Sequence, residues 1–287
     1  MTIPDKRLII NADDFGLSEG VSRGIVFAAE NGIVTSTSVI VNMPGWKDTA
    51  SLARSADSRL SFGLHLNLVV GKPLTSVPTL LDAHTSEFLS IAQLTMRALT
   101  GRIDPADVAR ECTAQLERLT AIHINVTHVD SHRHSHALPQ LASVVARIAR
   151  ENRIRFIRRP LEPLPFNPGN WRATVKKAAL AAAWRMHGGD RASSGIDHFY
   201  GISLQGEKDF ASELNVLIDR LPIGTSELMV HPGYVDEEVA AVDGYTSERA
   251  AELAALTSPA LRQRLDARGI TLVNFLDPLG ASRTPQN

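Results

Sequence analysis

The sequence contains one cysteine, Cys112, so the chain cannot form an internal disulfide bond. Its cysteine content therefore gives no indication of an oxidising compartment. The first residues lack the apolar stretch of a signal peptide, and no apolar run approaches the length that spans a bilayer. These absences predict a cytoplasmic protein that does not insert into a membrane.

Aromatic residues and unbalanced charge are scarce as well. Phe, Trp and Tyr make up 5% of the chain, which leaves few stacking surfaces for nucleic acid. The 30 basic and 31 acidic residues give a formal net charge of -1, so neither nucleic acid nor an anionic membrane is favoured as a partner. This balance is compatible with a small neutral ligand.

What the sequence does contain is an alternation of short apolar runs with longer amphipathic stretches. This pattern predicts parallel strands joined by helical crossovers, in a closed or nearly closed (β/α) barrel or, as second choice, an open doubly wound sheet. Residues 73–101 look like an insertion and 160–168 like a loop. Strands are predicted at 8–10, 37–41, 60–68, 125–130, 153–157, 227–230 and 270–275, and helices at 18–31, 47–54, 138–150, 171–186 and 210–221, with further helices beginning at 104–105 and at 247.

Polar residues suited to chemistry follow the ends of several predicted strands. Because the carboxyl ends of parallel strands converge on one face, these residues could share a pocket although they are far apart in the chain. They are Asp13 and Asp14 after the first strand, His65 and Asn67 at the end of the third, the segment 128–136 after the fourth, and His231 after the strand near Val230.

The segment 128–136 reads H-V-D-S-H-R-H-S-H and contains four of the ten histidines. If the strand continues, His128, Asp130 and His132 point to the same face, because side chains alternate along a strand. Imidazole and carboxylate groups are ligands for Zn²⁺ or a similar cation, which favours a metal site over a solvated polar loop. His134 and His136 could contact the metal ligands from behind or be simply exposed.

The neighbouring carboxylates Asp13 and Asp14 repel each other unless a cation lies close by. Successive side chains point in different directions, so one carboxylate could bind a metal while the other faces the substrate. His65 and His231 each allow two interpretations. Each of them is a buried core residue or belongs to the site. A histidine that titrates near neutrality is suited to proton transfer.

Five short motifs resemble those of the YdjC-like (ChbG) carbohydrate deacetylase family, in the same order and over residues 7 to about 275. Residues 245, 249 and 252–253 also fit the closing helix of that family. The motifs are N-A-D-D-F-G-L-S at 11–18, G-I-V-T-S-T-S at 32–38, G-L-H-L-N at 63–67, T-H-V-D-S-H-R-H at 127–134 and H-P-G-Y at 231–234.

The resemblance implies a single-domain α/β fold, a distorted (β/α) TIM-like barrel spanning 1–287, with its core at about 7–275 and a flexible tail at 276–287. It also implies one divalent ion, Mg²⁺ or Zn²⁺, held by Asp14, His65 and His132. Asp13 would be the catalytic base and His231 the general acid. Arg158 matches a family arginine that would orient a carboxylate. Further candidates for substrate or second-shell contacts are Asn67, His128, Asp130 and His134.

Family membership implies hydrolysis of the N-acetyl group of an acetamido sugar, giving acetate and an amino sugar. The substrate would be a chitooligosaccharide or carrier-linked N-acetylglucosamine, and the possibility of a homo-oligomer is left open. A metal-dependent phosphoesterase of the histidinol-phosphatase type is an alternative, disfavoured because such enzymes begin with H-x-H on the first strand. A non-catalytic sugar-binding protein on the same scaffold is the other alternative.

Overall fold

The computed structural model describes residues 5–56, 60–163, 171–186 and 196–278. The strands are β1 (Lys6–Phe15), β2 (Ser36–Val39), β3 (Ser61–Leu66), β4 (Val126–Ser131), β5 (Phe156–Ile157), β6 (His198–Tyr200), β7 (Gly224–Val230) and β8 (Ile270–Leu272). The helices are α1 (Glu19–Asn31), α2 (Trp46–Ser55), α3 (Ile91–Leu99), α4 (Pro105–Thr120), α5 (Leu141–Glu151), α6 (Trp171–Met186), α7 (Phe210–Arg220), α8 (Glu237–Val242), α9 (Ser247–Leu256) and α10 (Pro259–Ala267).

All strands belong to one parallel sheet in the order β5-β4-β3-β2-β1-β7-β6, with β8 beside the start of β1. The sheet curls strongly, as a contact between strands far apart in this order shows. Arg158, just after β5, donates from Nε to Oε1 of Glu227 on β7 at 2.7 Å. Among the described residues, the edge strands β5 and β6 do not pair with each other. The predicted distorted (β/α) barrel is therefore confirmed, in the form of a curled sheet surrounded by helices.

Helix α1 shows how local sequence sets an element's bounds. The side chain of Ser18 accepts a hydrogen bond from Val21 N at 3.2 Å, which caps the first turn, and Gly32 follows the last helical residue. Val21 and Ile25 are fully buried on the face toward the sheet. The predicted start and end of this helix are confirmed.

The structure differs from the predicted elements in three places, and two of these differences have local causes. A helix begins at Ser247 as predicted, but its continuation as one long final helix is wrong, because it ends at Leu256 and a new helix starts at Pro259, which lacks an N–H. The insertion at 73–101 contains α3, whose start is set by a capping box between Ser90 and Gln93. The short elements α8 and β6 were not predicted from the apolar pattern.

Two further predictions fall partly outside the described residues. Residues 160–163 of the predicted loop contain no helix or strand, and 164–168 lie outside the described ranges. Residues 279–287 of the predicted tail also lie outside the described ranges. No helix within the described ranges is long and apolar enough to cross a bilayer.

A buried carboxylate on α4 attaches the insertion to the barrel. Glu111 is fully buried and accepts hydrogen bonds from Leu74 N at 3.0 Å, from Thr75 N at 3.0 Å and from Gln115 Nε2 at 2.8 Å. Glu111→Ala leaves these donors unsatisfied and should lower the free energy of unfolding by about 3 kcal/mol, measured by urea denaturation. The exposed Glu117→Ala on the same helix is the control. Equal, small losses from both variants would contradict this attachment role.

Candidate active site

The carboxyl ends of the central strands surround a cavity of about 650 Å³, within the range of small-molecule sites. The predicted convergence of distant motifs on one pocket is thus what the structure shows. The predicted residues that line this cavity are Asp13, Asp14, His65, His132, His134 and His231.

Asp14, His65 and His132 form a buried group that could hold a metal ion. Oδ1 of Asp14 lies 3.3 Å from Nε2 of His65 and 3.0 Å from Nδ1 of His132. One donor atom from each residue lies within 4.8 Å of the other two. Two imidazole nitrogens and one carboxylate oxygen are a common donor set for a divalent cation that keeps open coordination positions. The residues present therefore fit the predicted ion.

The backbone at the end of β1 explains how two successive aspartates serve different neighbours. Asp14 has a φ of 76°, a left-handed conformation that is uncommon for residues other than glycine. Gly16 follows with a φ of 90°, and a Cβ there would collide with the carbonyl oxygen of Ile40. A strained backbone conformation persists only where surrounding contacts hold it in place, and such conformations are concentrated at functional sites. Here it directs Asp14 toward the two histidines and Asp13 toward Arg158.

His65 is oriented by Asp130 on the neighbouring strand. Its Nδ1 lies 2.7 Å from Oδ1 of Asp130, which leaves Nε2 facing Asp14. Burial alone lowers the pKa of His65, but the charges of Asp130 and Asp13 raise it to about 10. In the ligand-free protein the imidazole thus carries a second proton, which a cation bound at Nε2 would displace. A carboxylate behind a ligating histidine is a common support for metal sites.

Asp13 is held by Arg158 through two hydrogen bonds. Nη1 donates to Oδ2 at 2.6 Å and Nη2 donates to Oδ1 at 2.7 Å. Oδ1 also accepts from Asn11 Nδ2 at 2.8 Å, so both of its lone pairs are used. Among the described residues, Oδ2 accepts a hydrogen bond only from Arg158. The carboxylate is therefore fixed in orientation while one acceptor position stays available.

Arg158 is surrounded by three buried carboxyl groups. Burial alone would lower its pKa, but Asp13, Asp130 and Glu227 raise it, so the guanidinium remains charged. Its Nη2 lies 2.7 Å from Oδ2 of Asp130. Burial raises the pKa of Glu227 to about 7, although Arg158 opposes the shift. The predicted carboxylate-orienting position of Arg158 agrees with this geometry, while its role in catalysis stays a prediction.

His231 follows β7 beside the end of β1, where Val230 pairs with Ala12, and Glu252 on α9 supports it. Its backbone N donates to Oε2 of Glu252 at 2.5 Å, and the hydroxyl of Tyr245 donates to Oε1 of the same carboxyl at 2.5 Å. Burial lowers the pKa of the His231 imidazole to about 4, although Asp13 and Asp14 act in the opposite direction. The imidazole is therefore neutral at pH 7 when no ligand is bound.

Several predicted residues lie behind or away from the cavity lining in the described structure. Asp130 and Arg158 are directly behind His65 and Asp13. Nε2 of His128 lies 3.0 Å from Oδ1 of Asn11, and its ring stacks on Phe275 at 4.0 Å. The side chain of Asn67 accepts from the backbone of residues 69 and 70, which closes the turn after β3.

Strand β4 ends at Ser131, one residue earlier than a shared face for His128, Asp130 and His132 would require. His132 begins a 3₁₀ segment, His132–Ala137, in which Arg133 and His134 have a φ of 56°. This tight turn brings His134 to the cavity. His136 points away and bonds Ser131 and the backbone of Arg158.

The cavity lining also includes residues that were not predicted as site residues. A charged or polar residue in a helix or loop ordinarily indicates a solvated surface, so nothing in the pattern separated these from other surface positions. Arg249, Tyr245 and Glu252 entered only through the family motif. The additional lining residues are Ser131, Arg133, Lys176, Gln205, Met229, Asp243, Gly244, Tyr245 and Arg249.

Comparison with known proteins shows the family to which the chain belongs. The sequence profile of the YdjC-like protein family matches residues 7–267. A carbohydrate deacetylase of Geobacillus stearothermophilus is 36% identical over 268 residues, which cover 93% of this chain and 96% of that protein. A chitooligosaccharide deacetylase of Yersinia pestis (strain Pestoides F) is 35% identical over 276 residues, covering 95% and 99% of the two chains. The chain belongs to the YdjC-like family.

A solved structure supports the same fold. It is a protein from Enterococcus faecalis V583, described as a candidate cellobiose-phosphate cleavage protein. It superimposes with a TM-score of 0.77 at 24% identity and covers 95% of this chain and 98% of its own. At this identity the likeness concerns the fold alone.

Proposed function

We propose that this protein is a metal-dependent carbohydrate N-deacetylase that releases acetate from a small acetamido sugar. The main observation in support of the proposal is the arrangement of two carboxylates in one cavity. Asp14 groups with His65 and His132 as a metal site, whereas Asp13 is held separately by Arg158 with an acceptor position available. The names of the two relatives, carbohydrate deacetylase and chitooligosaccharide deacetylase, support the same activity.

A divalent cation held by Asp14, His65 and His132 would polarise the acetamide carbonyl and make a water molecule more acidic. Oδ2 of Asp13 accepts the proton of that water as a new C–O bond forms at the carbonyl carbon. Arg158 keeps this carboxylate charged and fixed, which preserves the geometry that proton transfer requires.

His231 protonates the departing nitrogen as the C–N bond breaks, because an amine leaves far more readily than its anion. Since burial lowers the pKa of His231 to about 4, the imidazole must acquire this proton during turnover. The proton removed from water is the available source. The products are acetate and the free amino sugar.

The phosphoesterase alternative would require more than one metal ion. Asp13, His65 and Asp130 form a second possible ligand group. Arg158 lies within 2.7 Å of both Asp13 and Asp130, however, so those carboxylates are already neutralised by a buried cation. One ion per chain favours the deacetylase, and two or three would favour the phosphoesterase.

The activity is tested by incubating the protein with N-acetylglucosamine and short chitooligosaccharides, with Mg²⁺ or Zn²⁺ added separately, and measuring acetate. We expect acetate release from at least one of these substrates. Phosphate release from phosphorylated sugars without acetate release would instead support the phosphoesterase. Sugar binding without either product would support a non-catalytic protein.

A further inference from the structure

Among the described residues, Arg249 has the largest fully buried side chain, and it lines the same cavity as the aspartates and histidines. It lies in the first turn of α9. Its Nη2 donates to Oδ2 of Asp14 at 2.7 Å and to Oδ2 of Asp243 at 2.6 Å, and its Nε donates to the carbonyl oxygen of Tyr245 at 2.9 Å. These contacts fix the guanidinium firmly in one orientation.

The remaining nitrogen, Nη1, is buried and has no hydrogen-bond partner among the described residues. Buried donors are nearly always paired, and a charged donor left without a partner is especially costly. Because Arg249 lines the cavity, an acceptor atom of a bound ligand is the natural partner for Nη1.

The position of Arg249 relative to Asp14 indicates which ligand atom this is. Oδ1 of Asp14 faces His65 and His132, whereas Oδ2 faces Arg249. The guanidinium therefore lies beside the candidate metal group, across the Asp14 carboxylate from the two imidazoles. An amide that is attacked in this cavity has one strong acceptor, its carbonyl oxygen, and that atom becomes negatively charged when water adds.

We propose that Arg249 is a further catalytic residue, whose Nη1 donates to the carbonyl oxygen of the N-acetyl group and to the oxyanion formed from it. This inference rests on the proposed deacetylase function. A charged, preorganised N–H donor stabilises an oxyanion more than it stabilises the neutral carbonyl, so the bond contributes to rate.

The test takes the acetamido sugar that the wild type hydrolyses and its N-trifluoroacetyl counterpart as substrates. Both are given to the wild type and to Arg249→Lys, and metal content is measured in both proteins. Lysine keeps the charge near Asp14 but removes Nη1. We expect kcat/KM for the N-acetyl substrate to fall by about 10²–10³-fold, as for other oxyanion donors. Fluorine atoms stabilise the oxyanion without help from the protein, so the loss for the trifluoroacetyl substrate should be smaller by about tenfold or more.

Asp243→Asn is the matched control, because it removes the negative charge of one partner of Nη2 and leaves Nη1 in place. We expect kcat/KM of that variant to fall by the same factor with both substrates. Equal losses with both substrates for Arg249→Lys at full metal occupancy would overturn the inference, since a role only in holding Asp14 predicts equal losses. A wild-type protein that releases acetate from neither N-acetylglucosamine nor any short chitooligosaccharide would overturn the proposed function itself.

Acetate binding provides a second, non-kinetic measurement. The carboxylate of acetate offers Nη1 the same kind of acceptor as the oxyanion. By calorimetry, Arg249→Lys should bind acetate at least about tenfold more weakly than the wild type, while Asp243→Asn retains the greater part of the affinity. An unchanged acetate affinity in Arg249→Lys would contradict the proposed contact.

Discussion

Replacement of Asp13 by asparagine is expected to lower kcat for acetate release by about 10²–10⁴-fold, the usual contribution of a general base. The amide has nearly the shape of the carboxylate but cannot accept the proton of the attacking water. Arg158 would keep two of its carboxyl partners, Asp130 and Glu227, so the barrel should remain folded. The bound metal should also remain, because the metal group proposed for catalysis does not include Asp13.

Asp14→Asn is the matched control for this prediction, since it changes the neighbouring carboxylate by the same atoms. It should lose most of the bound metal together with activity. Metal analysis and acetate release, measured on both variants, separate the two roles. Loss of metal from Asp13→Asn, or normal metal content in Asp14→Asn, would mean that the proposed division between the two aspartates is wrong.

Removal of the metal by a chelator is expected to abolish detectable acetate release, and addition of one divalent ion per chain should restore it. Water and an unpolarised acetamide react too slowly without the ion for the remaining residues to compensate. The ion should also stabilise the fold, by about 2.7 kcal/mol when its free concentration is a hundredfold above its Kd. Thermal unfolding with and without the ion measures this effect as an increase in Tm.

His65→Ala provides the control for chelation, because it removes a ligand together with its contact to Asp130. In that variant the added ion should raise Tm much less than in the wild type. Full activity of the chelated wild type, or an equal increase in Tm for both proteins, would contradict metal-dependent hydrolysis at this position.

The parts of the site predicted from sequence are those with dense local signals. Two adjacent aspartates after an apolar strand, and the run of histidines at 128–136, are unusual enough to indicate a metal site. Strand ends in a parallel sheet then predict convergence with His65 and His231. The structure brings Asp13, Asp14, His65, His132 and His231 to one cavity.

The parts that were not predicted depend on tertiary contacts. Arg249 is separated from Asp14 by 235 residues, and only the folded barrel brings its guanidinium to that carboxylate. The histidine run also mixed residues with different surroundings. His128 packs on Phe275 inside the barrel, whereas His134 reaches the cavity because the chain turns sharply after Ser131. Alternation along a strand cannot show where the strand ends.

Whether Asp14, His65 and His132 hold one cation is tested most directly by anomalous scattering from crystals grown with Zn²⁺. We expect one peak per chain, at about 2.0–2.2 Å from one atom of each of the three side chains. A peak that contacts none of these residues, or two or more peaks within the cavity, would contradict a mononuclear site at the end of β1.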